Sequence, residues 1–550
     1  MNRNKIKTIL LPVFLIVAIS SLYAQPLQED YNDLFLYRVC FNDKGAGPEA
    51  WSPEELLSPA AIARRDKLGI PCPDEKDIPV SREHIATLTG LGLSFRCASK
   101  WMNSALFSSV KEADTDELEG LWFIDRVQLV KLPSAPVKSE DSKYGVAVPG
   151  DDPDAFDPRL PHNGHLLHQS GFNGRNVVIA VLDAGFLNAD LIESLGPLRN
   201  RGGIIATRDF IRGTDYVYDY HTHGTSVLSI LAGNLPGIIN GTAPGAGYLL
   251  LRSEDDETEY PVEEDYWTAA AEYADSAGAD IISSSLGYFT FDDPSMNYSF
   301  GDMDGNTAFI TRAANIAASK GILVVNSAGN ERNKEWVRII APSDGDNVVG
   351  VGAVRHDLTI SDFSSSGYSS GGQVKPDVVA PGVLLPMQFD PGLWHQGSGT
   401  SFSCPVISGL CASLMQAVQA SSPAEITQAL HLSSDRYSNP DSLYGYGLPD
   451  FLQALRYLEE MNNFRPEVMI TAGPNPFLDA INLWFRDPPG HLTVTITSTA
   501  GTRVWKRSWP AFVARSCKID GLGHMSQGIY YVKVITDQGE KVFKMSRIAR

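Results

Sequence analysis

The chain has little positive charge and few cysteines. Its 45 Lys and Arg residues stand against 65 Asp and Glu among 550 residues, giving a formal charge of −20. A nucleic-acid-binding surface needs a clustered basic face, so this composition argues against nucleic acid as a partner. The six cysteines are scattered without the spacing of a zinc site, and they leave the pairing of any disulfides open.

Long apolar runs are also absent after the first 24 residues. That first stretch carries Arg3, Lys5 and Lys7, then an apolar run, then the small residue Ala24 before Gln25. This order is typical of a secretory signal. The alternative is a membrane anchor, but a run of about 17 residues is short for a spanning helix, which needs roughly 20. We therefore predict a signal peptide at residues 1–24 and a secreted or cell-surface protein.

The length predicts three or four domains, at roughly 150 residues each. Residues 25–140 contain short strand and helix patterns and indicate a small α+β domain. Residues 141–159 are rich in Pro, Asp and Ser and predict an exposed linker. Residues 466–550 contain short alternating strands joined by turn residues, which predicts an antiparallel β-sandwich.

Residues 160–460 alternate short apolar runs with helical stretches. The runs include NVVIAVLD, YLLLRS, DIISSSLG, GILVVNSAGN, NVVGVGAV and KPDVVAPG. Strands that are apolar on both faces and alternate with helices indicate an α/β fold with a parallel sheet covered on both sides. Asp183, Ser285 and Asn330 fall at the carboxyl ends of three of these runs, where open α/β sheets place their sites.

Three residues in this region could form a nucleophilic site. Asp183 ends a buried strand, His223 precedes a helical run, and Ser401 stands where turn residues give way to an apolar helix. Each one alone is also typical of a helix cap or turn. Together they supply the alcohol, the base that removes its proton, and the carboxylate that orients the base.

The segments around these residues resemble the subtilisin-like serine proteases, the subtilases, in the order Asp, His, Ser. The resemblance rests on VLDAGF, HGTS, SSSLG, NSAGN, KPDVVAPG and GTSFSCP, spread over some 300 residues. It implies a subtilisin-like sheet and a serine endopeptidase that hydrolyses peptide bonds of proteins through an acyl-enzyme.

The resemblance also implies a role for each residue. Ser401 would attack the scissile carbonyl, His223 would accept and return the proton, and Asp183 would orient the imidazole. Asn330 would donate its side-chain amide to the oxyanion, together with the backbone N–H of Ser401.

Two further segments would bind the substrate peptide. Ser285, Leu286 and Gly287 would pair with it as an added strand, and Ser327, Ala328 and Gly329 would form a second wall of the primary specificity pocket. Because these wall residues are small, we expect room for a large substrate side chain. The alternative, that they are ordinary strand ends, stays open.

Several positions depart from the family pattern. Ala184 replaces a hydroxyl residue that can bond the catalytic carboxylate, and Ser226 replaces a second His; Phe402, Ser403 and Cys404 follow the serine where the family usually has Met, Ala and a small residue. Because the triad is retained, we predict an active enzyme. One alternative is a catalytically silent protein with a binding or adhesin role, and another is a thiol protease that uses Cys404.

The flanking regions extend the resemblance. Residues 25–140, with FNDKG, LSPAAIARR and SKWMNSALF, resemble the propeptide of Bacteroidetes subtilases, and the alternative is a stable accessory domain. The tail, with AGPNPF and GIYYVKVITDQGEKVFKMSRI, resembles a type IX secretion sorting domain, and the alternative is an accessory β-sandwich. The implied partners are protein or peptide substrates, the chain's own propeptide and the type IX secretion machinery.

No metal-binding residue is predicted, and the chemistry requires no cofactor. Asp302 and Asp304 have the spacing of a calcium loop but lack its remaining ligands, so we interpret them as a turn. A structural calcium elsewhere is implied only by the family resemblance.

Overall fold

The computed structural model describes residues 31–134, 144–150, 156–419, 421–462, 470–473, 476–485, 489–512, 514, 516–537 and 539–548. The chain divides into two compact units, one of Met1–Gln416 with Ser422–Asp450 and one of Ala417–Ser421 with Phe451–Arg550. The predicted signal peptide lies outside the described residues. Within the described ranges, every helix is too short or too polar to cross a bilayer.

The N-terminal part of the first unit is a four-stranded antiparallel sheet with short helices, as the α+β prediction expects. The sheet order is β2-β3-β1-β4. Its elements are β1 (Phe35–Phe41), α1 (Pro53–Leu56), α2 (Pro59–Leu68), α3 (Arg82–Gly90), β2 (Ser94–Ser99), β3 (Ser104–Ser109), α4 (Thr115–Glu119) and β4 (Ile124–Lys131). Ser58 caps α2 by accepting a hydrogen bond from Ala61 N–H, and Pro59 opens the helix.

The remainder of the first unit contains a large parallel sheet and its helices. The elements are β5 (Val146–Pro149), α5 (Gly164–Gln169), β6 (Val178–Asp183), α6 (Gly196–Asn200), β7 (Ile204–Asp209), α7 (His223–Ala232), β8 (Asn234–Leu235), β9 (Ile239–Asn240), β10 (Gly247–Arg252), α8 (Val262–Ala277), β11 (Ile281–Ser284), α9 (Phe309–Ser319), β12 (Leu323–Ser327), β13 (Val348–Val354), β14 (Gly367–Tyr368), β15 (Val374–Lys375), β16 (Val378–Pro381), β17 (Leu385–Asp390), β18 (Leu393–Ser398), α10 (Thr400–Ala417) and α11 (Pro423–Ser433).

The central sheet has seven parallel strands in the order β16-β13-β12-β11-β6-β10-β7. Six of them coincide with the apolar runs that predicted strands, because these strands are buried on both faces. The seventh, β7, is an edge strand whose residues are largely half-buried, so its sequence lacks a continuous apolar run. The chain order reverses at β6, which places the ends of β6 and β11 side by side at the switch point of the sheet.

Helices cover the sheet, which confirms the predicted fold class. Ala180 and Leu182 of β6 share one buried cluster with residues of α8 and α9, while α7 also packs against β6. Alternate residues of one buried strand therefore point to two apolar layers.

The N-terminal sheet and its helix α2 contact the peptidase region through carboxylates on α8. Arg38 donates to both carboxylate oxygens of Asp265, at 2.8 and 2.6 Å. The guanidinium groups of Arg64 and Arg65 bind the two carboxylate oxygens of Asp275. All five side chains are buried, so water screens these ion pairs only weakly.

The segment predicted as an exposed linker contains a strand. Residues of β5 pair antiparallel with β18, which itself pairs with β17, so that Val146 lies opposite Ser398 and Pro149 opposite His395. The sequence pattern is weak here because every residue of β5 is exposed. Backbone pairing, rather than side-chain burial, holds the strand.

The second unit is rich in strands, as the β-sandwich prediction expects. It contains a three-stranded sheet β19-β20-β23 and a four-stranded sheet β22-β21-β24-β25. Its elements are α12 (Phe451–Asn462), β19 (Ile470–Gly473), β20 (Ile481–Phe485), β21 (Leu492–Ser498), β22 (Arg503–Trp509), β23 (Ser516–Ile519), β24 (Gly528–Thr536) and β25 (Gly539–Arg547). Inward-facing residues of both sheets, such as Leu483 and Val532, form one apolar cluster.

Candidate active site

The carboxyl end of β6 and the beginning of α7 bring Asp183 and His223 together. Asp183 is the last residue of β6 and His223 the first residue of α7. His223 Nδ1 lies 2.7 Å from Asp183 Oδ1, and both side chains are buried. A side chain on Gly224 would collide with Gly185 O, which a Cβ would approach to 2.4 Å, so glycine lets the helix approach the strand end.

Each partner keeps one polar atom without a hydrogen bond among the described residues. These atoms are Asp183 Oδ2 and His223 Nε2. Asp183 Oδ1 also accepts the backbone N–H of Ala184 at 2.8 Å, whereas the Ala184 side chain offers no hydroxyl to Oδ2. The departure at Ala184 thus removes a hydrogen bond from the carboxylate, while Nε2 remains available as a proton acceptor.

Ser401 lies in the first turn of α10, three residues after β18 ends. Its backbone N–H has no acceptor within the helix, and the helix dipole favours negative charge there. Its Oγ donates a weak 3.4 Å hydrogen bond to Ser285 O. Among the described residues, the hydroxyl and His223 share no hydrogen bond in this structure, although such bonds often form only when substrate binds.

Pro405 lies inside α10, beyond its first turn. At the sixth helical residue, its missing N–H leaves Ser401 O without the usual i to i−4 donor. This oxygen therefore needs another donor. The Ser285 hydroxyl takes this role, donating to Ser401 O at 2.8 Å.

Asn330 follows the end of β12 and contacts the beginning of α10. Its Oδ1 accepts hydrogen bonds from Thr400 N–H and Thr400 Oγ1, each at 2.9 Å. Because the oxygen is engaged, the Nδ2 group remains as a donor in the cavity that Ser401 also lines. The amide is therefore oriented to donate rather than to accept.

A cavity of about 300 Å³ contains most of the predicted substrate-binding residues. Five of the six line it, together with Ser401 and Asn330: Ser285, Leu286, Gly287, Ser327 and Gly329. Ala328 lines no part of this cavity; it is fully buried, and its N–H donates to Val351 O. Phe289 and Ile340 also line the cavity, although no motif indicated them.

Tyr144, two residues before β5 begins, lies in the same cleft. Its ring centroid lies 4.4 Å from that of His221 and 5.0 Å from that of His223. It also lines the cavity that contains Ser401. A segment of the predicted linker thus lies on the candidate active site.

Cys404 is a buried thiol beneath the serine. Its Sγ lies 3.5 Å from Ser284 O and 3.4 Å from Val325 O, the two carbonyl acceptors within reach of its S–H group. Burial raises the pKa of Cys404 to about 11, so the thiol is protonated at neutral pH. A protonated, inaccessible thiol is a poor nucleophile, which argues against the thiol-protease alternative.

Three family models match successive parts of the chain. They describe a Bacteroidota peptidase S8 propeptide domain at residues 36–144, the subtilase family at residues 174–447 and a secretion system C-terminal sorting domain at residues 473–546. The chain belongs to the subtilase family. The sorting domain and the family together indicate an extracellular or cell-surface location.

Curated relatives match this subtilase mainly in the peptidase region. Thermophilic serine proteinase of Bacillus sp. (strain AK1) is 30% identical over 51% of this chain and 61% of its own length. Subtilisin E of Bacillus subtilis (strain 168) is 29% identical over 51% of this chain and 66% of its own length. The subtilase thus spans less than two thirds of the length of either relative. The crystal structure of MycP1 from Mycobacterium smegmatis is 21% identical, with a TM-score of 0.45, and covers 56% of this chain and 88% of that one.

Acidic residues elsewhere in the subtilase domain are engaged in hydrogen bonds. Asp304 accepts from the N–H groups of Asn306 and Thr307, at 2.8 and 2.7 Å, as a turn residue does. Glu254, Glu259 and Glu263 bring carboxylate oxygens within 4.8 Å of one another, a spacing that could hold a metal ion. Tyr288 donates a hydrogen bond to Glu254, and the N–H of Asp255 donates one to Glu263. Protein donors therefore already bind two of these three carboxylates.

Proposed function

We propose that this protein is a secreted serine endopeptidase that uses Ser401, His223 and Asp183. The 2.7 Å contact between His223 Nδ1 and Asp183 Oδ1 is the observation that carries the proposal. It fixes the tautomer in which Nε2 lacks a proton, the form that a general base requires. The matched subtilase model supports the same chemistry.

The proposed reaction has two steps. Ser401 Oγ attacks the scissile carbonyl while its proton passes to His223 Nε2, and Asp183 stabilises the resulting imidazolium. The amide of Asn330 and the N–H of Ser401 donate to the oxyanion. His223 then protonates the leaving amine, and water hydrolyses the acyl-enzyme by the same proton route.

The decisive experiment compares the full chain with Ser401→Ala. We expect the natural chain, once its N-terminal region has been cleaved, to hydrolyse casein and to be labelled by a fluorophosphonate, and the variant to do neither. Ser403→Ala, two residues further along the same helix, is the matched control and should retain labelling. Equal behaviour of the natural chain and Ser401→Ala would instead favour the silent binding protein.

We further propose that the N-terminal region acts as a propeptide and that residues 144–150 keep the enzyme latent. Tyr144 covers the rings of His221 and His223, and β5 holds it there through backbone pairing with β18. Because β18 leads directly to Ser401, a substrate that extends past the cleft on this side must displace β5. Latency before export protects the producing cell.

The C-terminal domain is proposed to deliver the protein to the type IX secretion machinery. The match to a secretion sorting domain at residues 473–546 supports this role. A chain that lacks residues 470–550 should hydrolyse casein normally when purified, but remain inside a producing bacterium that has this machinery. Its appearance in the medium at the natural level would contradict the proposal.

A further inference from the structure

Ile340 occupies the space between the two walls of the cavity. A methyl group built on Gly287 would lie 2.6 Å from Ile340 Cδ1, and one built on Gly329 would lie 3.0 Å from the same atom. The Ile340 side chain therefore packs between the backbones of both wall glycines. It also lines the cavity that contains Ser401, with 8% of its surface exposed.

Backbone hydrogen bonds fix Ile340 in this position. Tyr288 N–H donates to Ala341 O at 2.9 Å and Ala341 N–H to Tyr288 O at 3.3 Å, which joins the Ile340 loop to the residue after Gly287. Ser343 N–H donates to Ile340 O at 2.9 Å. A β-branched side chain has few rotamers, so Ile340 cannot easily turn out of the cavity.

We propose that Ile340 is a specificity-determining residue that restricts the cavity to small side chains. This inference rests on the proposed endopeptidase function. The substrate residue on the acyl side of the cleaved bond would be Ala, Ser or Gly, because a larger side chain would have to displace an isoleucine held between two backbones. The sequence-based expectation was room for a large substrate side chain. It considered only the small residues of the two walls and not the loop that places Ile340 between them.

Two observations describe the charged and aromatic side chains at the cavity. Glu331 and Lys334 line the cavity but pair with each other at 3.0 Å, so their charges largely cancel. Tyr144 reaches the cleft, yet its ring packs on His221 and His223. An aromatic side chain in the cleft thus lies against the histidines.

The test uses the natural chain after cleavage of its N-terminal region and two tetrapeptide p-nitroanilides that differ only in an Ala or a Phe before the cleaved bond. We expect kcat/KM to favour Ala at least tenfold, and Ile340→Gly to raise kcat/KM for Phe at least tenfold. Val337→Gly is the matched control. It removes an exposed side chain from the same loop at φ +65°, where glycine is well accommodated, and should leave the ratio unchanged.

Ile340→Val and Ile340→Ala extend the series if the glycine variant does not fold. They should shift the ratio towards Phe in that order, because each removes more of the side chain. A natural enzyme that prefers Phe, or folded variants with an unchanged ratio, would overturn the inference while leaving the proteolytic function intact. Absence of hydrolysis of both peptides, together with no Ser401-dependent labelling, would instead reject the proposed function and the inference with it.

Discussion

At the scale of single residues, the candidate site combines residues that the motifs indicated with residues that they did not. Asp183, His223, Ser401 and Asn330 each lie at or just after a strand end or in the first turn of a helix. Such positions can be predicted from sequence because the strands are apolar. Thr400 lies within the GTSFSCP motif, so its role could have been suspected. Ile340 could not, because it lies in a loop and reaches the cavity only through tertiary packing.

Ser285 and Pro405 should be energetically coupled. Ser285→Ala leaves Ser401 O without its side-chain donor and should lower the free energy of unfolding by about 1 kcal/mol. Pro405→Ala supplies an N–H to the same oxygen, so the double variant should recover most of this loss. Urea unfolding of the four proteins in a Ser401→Ala background, which prevents self-digestion, measures the coupling. Strictly additive losses would show that the two donors do not substitute for one another.

Thr400 should act by orienting the Asn330 amide. Thr400→Val removes the hydroxyl donor to Asn330 Oδ1 and should lower kcat about fivefold with little change in KM, since one hydrogen bond contributes about 1 kcal/mol. Thr400→Ser keeps the hydroxyl and should retain kcat.

Asn330→Ala should lower kcat by about two to three decades, the effect of losing such a donor in subtilisin. A normal kcat in the Asn330→Ala variant would show that Asn330 does not donate to the oxyanion.

At the scale of elements, sequence patterns succeed where burial determines structure and fail where backbone pairing does. Six of the seven strands of the large sheet have continuous apolar runs and were predicted. The edge strand β7 and the exposed strand β5 lack such runs, and β5 fell within a predicted linker. Because β5 was not predicted, the contact between Tyr144 and His223 could not be predicted either.

The pairing of β5 with β18 should control latency. Gly150 N–H donates to Trp394 O, and bonded positions alternate in an antiparallel pair, so Val148 is also a bonded position and Ala147 is not. Val148→Pro removes a donor from the ladder and should speed fluorophosphonate labelling of the full chain. Ala147→Pro removes no ladder donor and serves as the control. Equal labelling rates in both variants and the natural chain would show that the pairing of β5 with β18 does not control latency.

At the scale of the whole molecule, buried histidines should limit stability in acid. His162 Nδ1 lies 2.9 Å from Pro449 O, and burial lowers the pKa of His162 to about 4. Burial likewise lowers the pKa of His168 to about 4. Because these pKa values lie below the ordinary value of about 6.5, the unfolded chain binds more protons between these limits.

We therefore expect the first unit to lose stability as pH falls from about 6.5 towards 4. His162 alone should contribute about 3 kcal/mol to this loss, and the contribution should be absent above pH 6.5. Urea unfolding of Ser401→Ala between pH 7.5 and 5 measures the slope. His162→Gln should flatten it, whereas His524→Gln, an exposed position in the second unit, should not. A slope unchanged by His162→Gln would assign the acid sensitivity to other groups.

The buried ion pairs on α8 bear on what happens once the N-terminal region has been cut from the peptidase. When Arg38, Arg64 and Arg65 depart with that region, the carboxylates of Asp265 and Asp275 become exposed to water. The peptidase then presents an acidic surface at α8. That surface would remain complementary to the released fragment, whose return would then depend on its concentration rather than on its tether. Cleavage would thus convert the N-terminal region from a covalently attached domain into an inhibitor that can dissociate. Dilution outside the cell would then complete the activation that cleavage began.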